Sequence, residues 1–138
     1  MNHATPKQYL PVGDLPVIVQ TIQKFFLWKP DLPMIVVIAE THKSHWETVS
    51  KTYFADKLGT QVFVTFGGNT RAASVKKGLL ALQEAANLSS ESWILIHDSV
   101  RPFITLNLLE TALQTAVLHG NAVCAVPVKF SVREKTAT

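Results

Sequence analysis

Apolar residues form two alternating patterns along this chain, continuous runs and sets with helical spacing. Four continuous runs are typical of strands buried on both faces of a sheet: 34–39, 61–66, 93–96 and 122–128. Four helices are predicted before and between them, with start signals at Pro16, Thr41, Arg71 and Thr105. Strands that alternate with helices predict right-handed crossovers and a mostly parallel sheet. We therefore expect residues 1–138 to form a single three-layer α/β domain.

Both ends of the chain lack an element that doubly wound domains usually have. The chain opens with a polar loop and a helix, whereas such domains usually begin with a strand whose following turn forms half of the ligand site. From Val132 onward the sequence is polar and adds no closing element. We expect the domain to be incomplete at both ends.

Charge, cysteine content and the length of the apolar runs argue against a nucleic-acid-binding, disulfide-bonded or membrane-spanning protein. The net charge of +3 comes with lysines spread along the chain, a pattern that does not favour a nucleic-acid surface. The single cysteine, Cys124, lies in an apolar run, where we expect a small core residue, and it allows no disulfide within the chain. The apolar runs are too short to span a membrane, and the first residues do not resemble a signal peptide. These features predict a cytoplasmic protein without a nucleic-acid or membrane partner.

The segment from His97 to Pro102 places charged side chains directly after the third apolar run. In parallel α/β sheets, ligands bind at the carboxyl ends of the strands. Asp98 offers hard oxygen ligands suited to Mg²⁺ beside phosphate groups, and Arg101 can meet an anion through two hydrogen bonds. Taken alone, the segment favours a plain turn in which Asp98 is a cap and Arg101 pairs with it.

Two further motifs are compatible with phosphate binding. Lys7, ahead of the first helix, can act as a mobile charge on phosphates, although an isolated lysine is more often simply solvated. The stretch Gly67-Gly68-Asn69-Thr70 enters a helix, so its amides can approach an anion, but it is no P-loop and a plain turn also fits. His42 and His45 lack a second cluster that would complete a metal site, and we expect them on the surface.

Four motifs together resemble one family. They occur in this order: Pro6-Lys7-Gln8-Tyr9-Leu10, Gly67-Gly68-x-x-Arg71-x-x-Ser74-Val75-x-x-Gly78-Leu79, His97-Asp98-x-x-Arg101-Pro102 and Val126-Pro127-Val128. Over essentially its whole length the chain resembles the 2-C-methyl-D-erythritol 4-phosphate cytidylyltransferases of isoprenoid biosynthesis. The resemblance implies a Rossmann-like fold of the nucleotide-diphospho-sugar transferase type, CTP as a substrate, and a homodimer in the complete protein.

The resemblance also implies roles for residues on the nucleotide side. Lys7 matches the family lysine that steadies the triphosphate and the charge developing on the α-phosphate. Gly68 and Asn69 match the loop that borders the cytosine, where the family commonly has Asp at the second position. Ser74 matches the residue that contacts the base.

On the other side of the implied site, Asp98 matches the aspartate associated with Mg²⁺ and the nucleotide. Arg101 matches the arginine of the same loop, near the acceptor. Ser131 falls where the family has Thr or Ser in contact with the acceptor phosphate, but Phe130 stands where an Asp is usual.

The implied function is transfer of a cytidylyl group from CTP to 2-C-methyl-D-erythritol 4-phosphate, with release of pyrophosphate. Close relatives that make CDP-ribitol share these motifs, so ribitol 5-phosphate is an alternative acceptor. The family's Gly-rich phosphate loop and a later segment with its dimerisation arm have no counterpart in residues 1–138. We therefore expect this chain alone to bind CTP weakly and to synthesise little CDP-alcohol. A non-catalytic nucleotide-binding remnant or an interaction module is the alternative of a different class.

Overall fold

The structure is a computed structural model that describes residues 5–127. Its regular elements follow in chain order: β1 (Pro11–Val12), β2 (Leu15–Pro16), α1 (Val17–Trp28), β3 (Met34–Ile38), α2 (Lys43–Tyr53), β4 (Val62–Phe66), α3 (Arg71–Ala85) and α4 (Leu106–His119). Short 3₁₀ turns at Lys7–Tyr9 and Glu40–His42 precede β1 and α2. None of the helices in this range is long and apolar enough to cross a membrane.

Helices cover both faces of a parallel strand pair. β3 and β4 pair in parallel from Met34 opposite Val62 to Ile38 opposite Phe66. Val36 and Ile38 belong to the main core, whereas the intervening Val37 faces α3. Because successive side chains of a strand point to opposite faces, α3 lies on the face opposite that core. The expected α/β architecture with a parallel sheet is confirmed.

The main core joins the first two helices to one face of this strand pair. Its buried side chains come from the 3₁₀ turn, α1, β3, α2 and β4: Tyr9, Ile18, Val19, Ile22, Val36, Ile38, Trp46, Val49, Phe54 and Val62. α4 packs on α1, where it buries Leu109, and Trp28 Nε1 donates to Glu110 Oε2 at 3.0 Å. The packed part of the molecule is therefore built around α1.

The helix boundaries follow local capping chemistry. Thr70 and Thr105 cap α3 and α4, since their hydroxyls accept from Ala73 N and Leu108 N at 3.1 Å each. Gly120 ends α4 in the left-handed region, with φ +83°, the conformation that glycine commonly supplies at the end of a helix. α2 begins at Lys43 with His42 at its cap position, one residue later than a cap at Thr41 predicts, because Thr41 lies in the 3₁₀ turn.

Two predicted strands are wrong within the described residues. Residues 93–96 and 122–127 carry no ladder hydrogen bonds there, and residue 128 lies outside that range. The side chains of Trp93 to Ile96 are 42–57% exposed, and Cys124, expected in the core, is exposed as well. An apolar run becomes a strand only when a neighbouring strand satisfies its backbone groups. In residues 5–127 the parallel ladder contains only β3 and β4.

Candidate functional site

The glycine loop that links β4 to α3 is closed by Ser74. Gly67 N donates to Ile38 O at 2.8 Å, which extends the contact with β3 beyond the last paired residues. Ser74 Oγ accepts from Gly68 N at 3.0 Å and lies 2.9 Å from Thr70 O, its acceptor. The hydroxyl predicted to contact the base therefore holds its own loop together, and its contact with cytosine stays a prediction.

Close approach, rather than an unusual backbone angle, explains the two glycines of this loop. A Cβ at Gly68 would lie 2.6 Å from the Cβ of Ala73, and one at Gly67 would lie 2.8 Å from Ser74 Oγ. Any side chain would push the loop away from the first turn of α3. Asn69, at the tip, is exposed to solvent. The loop thus presents a polar amide next to tightly packed backbone.

The glycine loop and the loop after residue 96 meet at Asp98. Arg71, the first residue of α3, donates from Nη1 to Asp98 Oδ1 at 3.0 Å, and Arg101 donates from Nε to Asp98 Oδ2 at 2.8 Å. The hydrogen bonds from Arg101 and Arg71 lower the pKa of the Asp98 carboxyl below its usual value. The two loops therefore lie side by side, although residues 93–96 are not a strand.

Contacts with α1 fix the position of the Asp98 loop. Buried Thr21 donates to Ser99 O at 2.9 Å, and the Phe25 ring meets the His97 ring edge to face with centroids 5.1 Å apart. His97 Nε2 lies 3.0 Å from Arg101 O, which can only accept, so this nitrogen carries the proton. The turn that the sequence predicts around Asp98 and Arg101 is present, and contacts from α1 hold it in place.

The 3₁₀ turn that carries Lys7 is held by α2 and by the turn before it. Gln8 Nε2 lies 3.0 Å from His42 Nδ1, and the Tyr9 ring stacks on His45 with centroids 5.3 Å apart. Burial raises the pKa of the Tyr9 hydroxyl. Both histidines, which the sequence predicts on the surface, therefore support the Lys7 turn. Only their tertiary neighbours reveal this, since nothing in the local sequence pairs residue 8 with residue 42.

Lys7 itself is exposed, and its amine contacts neither Asp98 nor the glycine loop among the described residues. Ser131 and Phe130 lie outside the described residues, so the predicted acceptor contact stays a prediction. The structure therefore brings together five of the predicted site residues: Gly68, Asn69, Ser74, Asp98 and Arg101. Lys7 lies apart from them, and Ser131 is outside the described residues. Arg71, which joins the two loops, was not among the predicted site residues.

The Asp98 carboxylate does not fit the predicted Mg²⁺ site. Both of its oxygens accept hydrogen bonds from arginines. Mg²⁺ requires near-octahedral oxygen ligands and is repelled by adjacent guanidinium groups. The geometry assigns Asp98 to the arginines.

Sequence comparison identifies a family model and individual proteins to which this chain is similar. The sequence model described as IspD, 2-C-methyl-D-erythritol 4-phosphate cytidylyltransferase, matches residues 1–138. A ribitol-5-phosphate cytidylyltransferase of Streptococcus pneumoniae (strain Hungary19A-6) is 37% identical over 115 residues, which cover 83% of this chain and 48% of the relative. A 2-C-methyl-D-erythritol 4-phosphate cytidylyltransferase of Phocaeicola vulgatus is 30% identical over 136 residues, 99% of this chain and 58% of the relative.

A solved structure shows that the fold is shared. The crystal structure of 4-diphosphocytidyl-2C-methyl-D-erythritol synthase from Anaerococcus prevotii DSM 20548 superposes with a TM-score of 0.61 at 24% identity, over 80% of this chain and 44% of that one. The chain spans about half the length of the curated relatives it matches. With the family match over its whole length, the chain belongs to the 2-C-methyl-D-erythritol 4-phosphate cytidylyltransferase family.

Proposed function

We propose that the protein transfers a cytidylyl group from CTP to the phosphate of a sugar alcohol, 2-C-methyl-D-erythritol 4-phosphate, and releases pyrophosphate. The observation that carries this proposal is the Arg71–Asp98 ion pair. It joins the glycine loop to the His97–Pro102 loop, two segments that each contain one of the four family motifs. Membership of the family and similarity to the Phocaeicola vulgatus enzyme over 99% of the chain support the same reaction.

The glycine loop is proposed to hold the cytosine. Cytosine offers an amino donor beside ring nitrogen and carbonyl acceptors, and the exposed Asn69 amide can both accept and donate. Gly68 lets the loop pack closely on the first turn of α3, since a Cβ there would lie 2.6 Å from the Cβ of Ala73, and this packing fixes the backbone proposed to border the base. Ser74 contributes by fixing the conformation of the loop.

The reaction needs positioning and charge rather than covalent help from the protein. An oxygen of the acceptor phosphate forms the new bond to the α-phosphorus of CTP, and the bond from that phosphorus to the bridging oxygen breaks. The electron pair leaves with pyrophosphate. Lys7 and Arg101 are proposed to offset the negative charge that accumulates on the phosphate oxygens. Ser131 is proposed to contact the acceptor phosphate.

Three finer parts complete the proposal. The metal and the homodimer rest on the family resemblance, whereas the location and the excluded partners rest on the charge distribution, the single cysteine and the short apolar runs. Mg²⁺ would accompany CTP and would offset negative charge on its phosphates, and no residue of this chain is assigned to hold it. The complete protein is a homodimer. It acts in the cytoplasm on these small molecules, without a nucleic-acid or membrane partner.

Ribitol 5-phosphate is the second candidate acceptor, and one observation favours it. The Streptococcus pneumoniae ribitol-5-phosphate cytidylyltransferase is 37% identical to the chain, against 30% for the Phocaeicola vulgatus relative over a longer alignment. Both acceptors are phosphate esters of a polyol, so the cytidylyl transfer itself is the same.

The test is an acceptor comparison with the protein expressed from its complete coding frame. CTP is incubated with each of the two acceptors, and CDP-alcohol is identified by mass while pyrophosphate is measured. We expect product with 2-C-methyl-D-erythritol 4-phosphate at a higher kcat/KM. Higher kcat/KM with ribitol 5-phosphate would replace the acceptor, and absence of any CDP-alcohol would contradict the proposed function.

A substitution of Lys7 tests its part in that reaction. We expect Lys7→Ala to lower kcat by about a hundredfold while leaving the unfolding midpoint unchanged, because an exposed charge contributes little to stability. Lys51→Gln is the matched control, since Lys51 is an exposed lysine on α2. Equal turnover of Lys7→Ala and the control would remove Lys7 from the catalytic residues.

A further inference from the structure

Two exposed arginines from different loops share one carboxylate. The side chains of Arg71 and Arg101 are 74% and 73% exposed, whereas that of Asp98 is 30% exposed. Arg101 is three residues from Asp98, but Arg71 comes from a separate element, 27 residues away in the chain. The arrangement is therefore a tertiary junction and not only a local turn.

The junction carries an excess of positive charge. Two guanidinium groups around one carboxylate leave a charge of +1. Lys77, whose amine donates to Gly67 O at 3.1 Å, adds a further positive charge beside the glycine loop. Among the described residues, Asp98 is the only carboxylate paired with any of these three cations, and it pairs with the two arginines. An anion is the complement of such a surface.

Both arginines keep hydrogen-bond donors that Asp98 does not use. Each guanidinium has five N–H donors. Arg71 gives Asp98 only a donor on Nη1, and Arg101 gives only Nε. Guanidinium groups match the oxygens of phosphate in a bidentate geometry, and a guanidinium already oriented by a carboxylate loses less side-chain freedom on binding.

We propose that Arg71 and Arg101 form one phosphate-binding centre in which Asp98 is a positioning residue that orients both guanidinium groups rather than a metal ligand. This inference deepens the proposed function and rests on it for its substrates. The ligand chemistry is a phosphate group, supplied either by the triphosphate of the nucleotide or by the phosphate ester of the acceptor. Arg71 is the new residue in the site.

Pyrophosphate binding without metal tests the centre directly. The 138-residue chain is titrated with pyrophosphate in EDTA, and amide shifts of residues 71 and 98–101 are followed by NMR. We expect saturable shifts at these residues, because arginines bind phosphate without a metal. Shifts that require Mg²⁺ and are abolished by Asp98→Asn, but not by Arg71→Gln, would show a metal ligand and overturn the proposal.

Two variants that each remove one positive charge distinguish a specific phosphate site from general electrostatic attraction of pyrophosphate to the protein. We expect Arg71→Gln to raise the dissociation constant of pyrophosphate about tenfold, and Arg71→Lys to recover only part of that loss, since lysine lacks the planar fork. Lys51→Gln, which removes one charge from α2, is expected to leave the constant within about twofold. Equal weakening in Arg71→Gln and Lys51→Gln would overturn the proposal.

Two ligand arms identify the source of the phosphate and separate this inference from the proposed reaction. If Arg71→Gln weakens CTP binding, the centre serves the nucleotide. If it weakens ribitol 5-phosphate or 2-C-methyl-D-erythritol 4-phosphate binding, the centre serves the acceptor, and loss of neither would refute a substrate role. Arg71-dependent pyrophosphate binding without any CDP-alcohol synthesis would leave the centre standing while the proposed reaction failed.

Discussion

The region around α1 and the region after α3 use similar sequences with different results. Both contain an apolar run with β-branched residues, and each contains a tryptophan, which lies in α2 in the first region and opens the run in the second. Trp46, in α2, is 3% exposed within the main core, whereas Trp93 is 48% exposed. Val36 and Ile38 are buried in the parallel ladder, but Ile96 is 57% exposed and has no ladder partner among the described residues.

The difference shows what an apolar run needs in order to become part of a core. The apolar run on β3 has its backbone groups paired with β4, and helices cover its side chains on both faces. The run at residues 93–96 gains neither a ladder among the described residues nor complete cover. The same side chains thus contribute much less hydrophobic free energy there, because less apolar area is removed from water.

The largest expected effect comes from exchanging the two tryptophans for alanine. We expect Trp46→Ala to lower the free energy of unfolding by about 3–5 kcal/mol, since it leaves a cavity in the main core. Trp93→Ala is expected to cost less than about 1 kcal/mol, because its ring is half exposed. Urea unfolding followed by circular dichroism measures both.

If Trp46→Ala abolishes folding, a milder matched pair keeps the comparison measurable. Ile22→Val in the core is expected to cost about 1 kcal/mol, and Ile96→Val much less. Similar costs for the two isoleucines would show that residues 93–96 are packed as tightly as the core, and the contrast between the regions would be lost.

Two glycines give effects of intermediate size for different reasons. A Cβ at Gly78 would lie 2.8 Å from Val37 Cγ2, so Gly78→Ala is expected to cost about 1 kcal/mol by forcing α3 away from β3. Gly120 has open space around it but a φ of +83°, so Gly120→Ala is expected to cost about 1 kcal/mol through backbone strain.

Second substitutions distinguish these two causes. Val37→Ala should rescue Gly78→Ala because it removes the clash, whereas Gly120→Asn should be milder than Gly120→Ala because asparagine tolerates the left-handed region. The measurement is the free energy of unfolding of single and double variants. Rescue of Gly120→Ala by Val37→Ala would contradict the local explanation.

The smallest expected effect concerns Asp98 and pH. Its carboxyl pKa is lowered in the folded protein by Arg101 and Arg71, so the stabilisation is present above the unfolded pKa and is lost as pH falls through the folded one. We expect Asp98→Asn to cost less than about 1 kcal/mol at pH 7, because the ion pairs are exposed to solvent.

The check is urea unfolding of both proteins between neutral and acidic pH. The difference between wild type and Asp98→Asn should shrink as pH falls below about 4. A difference that stays constant down to the acid end would mean that Asp98 contributes through contacts other than its charge.

Local signals predicted the helices well, while nonlocal pairing decided the strands. Thr70, Thr105 and Gly120 mark helix ends because capping depends only on neighbouring residues. Whether residues 93–96 pair depends on a strand elsewhere, which an apolar run does not reveal. The turn chemistry of Asp98 with Arg101 was also local, and the structure contains that pair.

In the candidate site, too, local sequence predicts some features and tertiary packing decides the others. The two loops were predicted from motifs, but their junction through Arg71 joins residues 27 apart, and local sequence does not indicate which carboxylate Arg71 meets. The support of the Lys7 turn by His42 and His45 likewise depends on the packing of α2. Sequence therefore located the segments of the site, whereas the structure was needed to show how they are joined.

The central claim is that the glycine loop and the Asp98 loop form one site for a cytosine nucleotide. The most direct measurement is an NMR titration of the 138-residue chain with CTP and, separately, UTP. We predict that amides of residues 67–74 and 98–101 shift together with CTP, and that UTP needs a concentration about tenfold higher because its base presents a different donor pattern. Shifts confined to one loop or to other regions, or equal responses to the two nucleotides, would contradict the account.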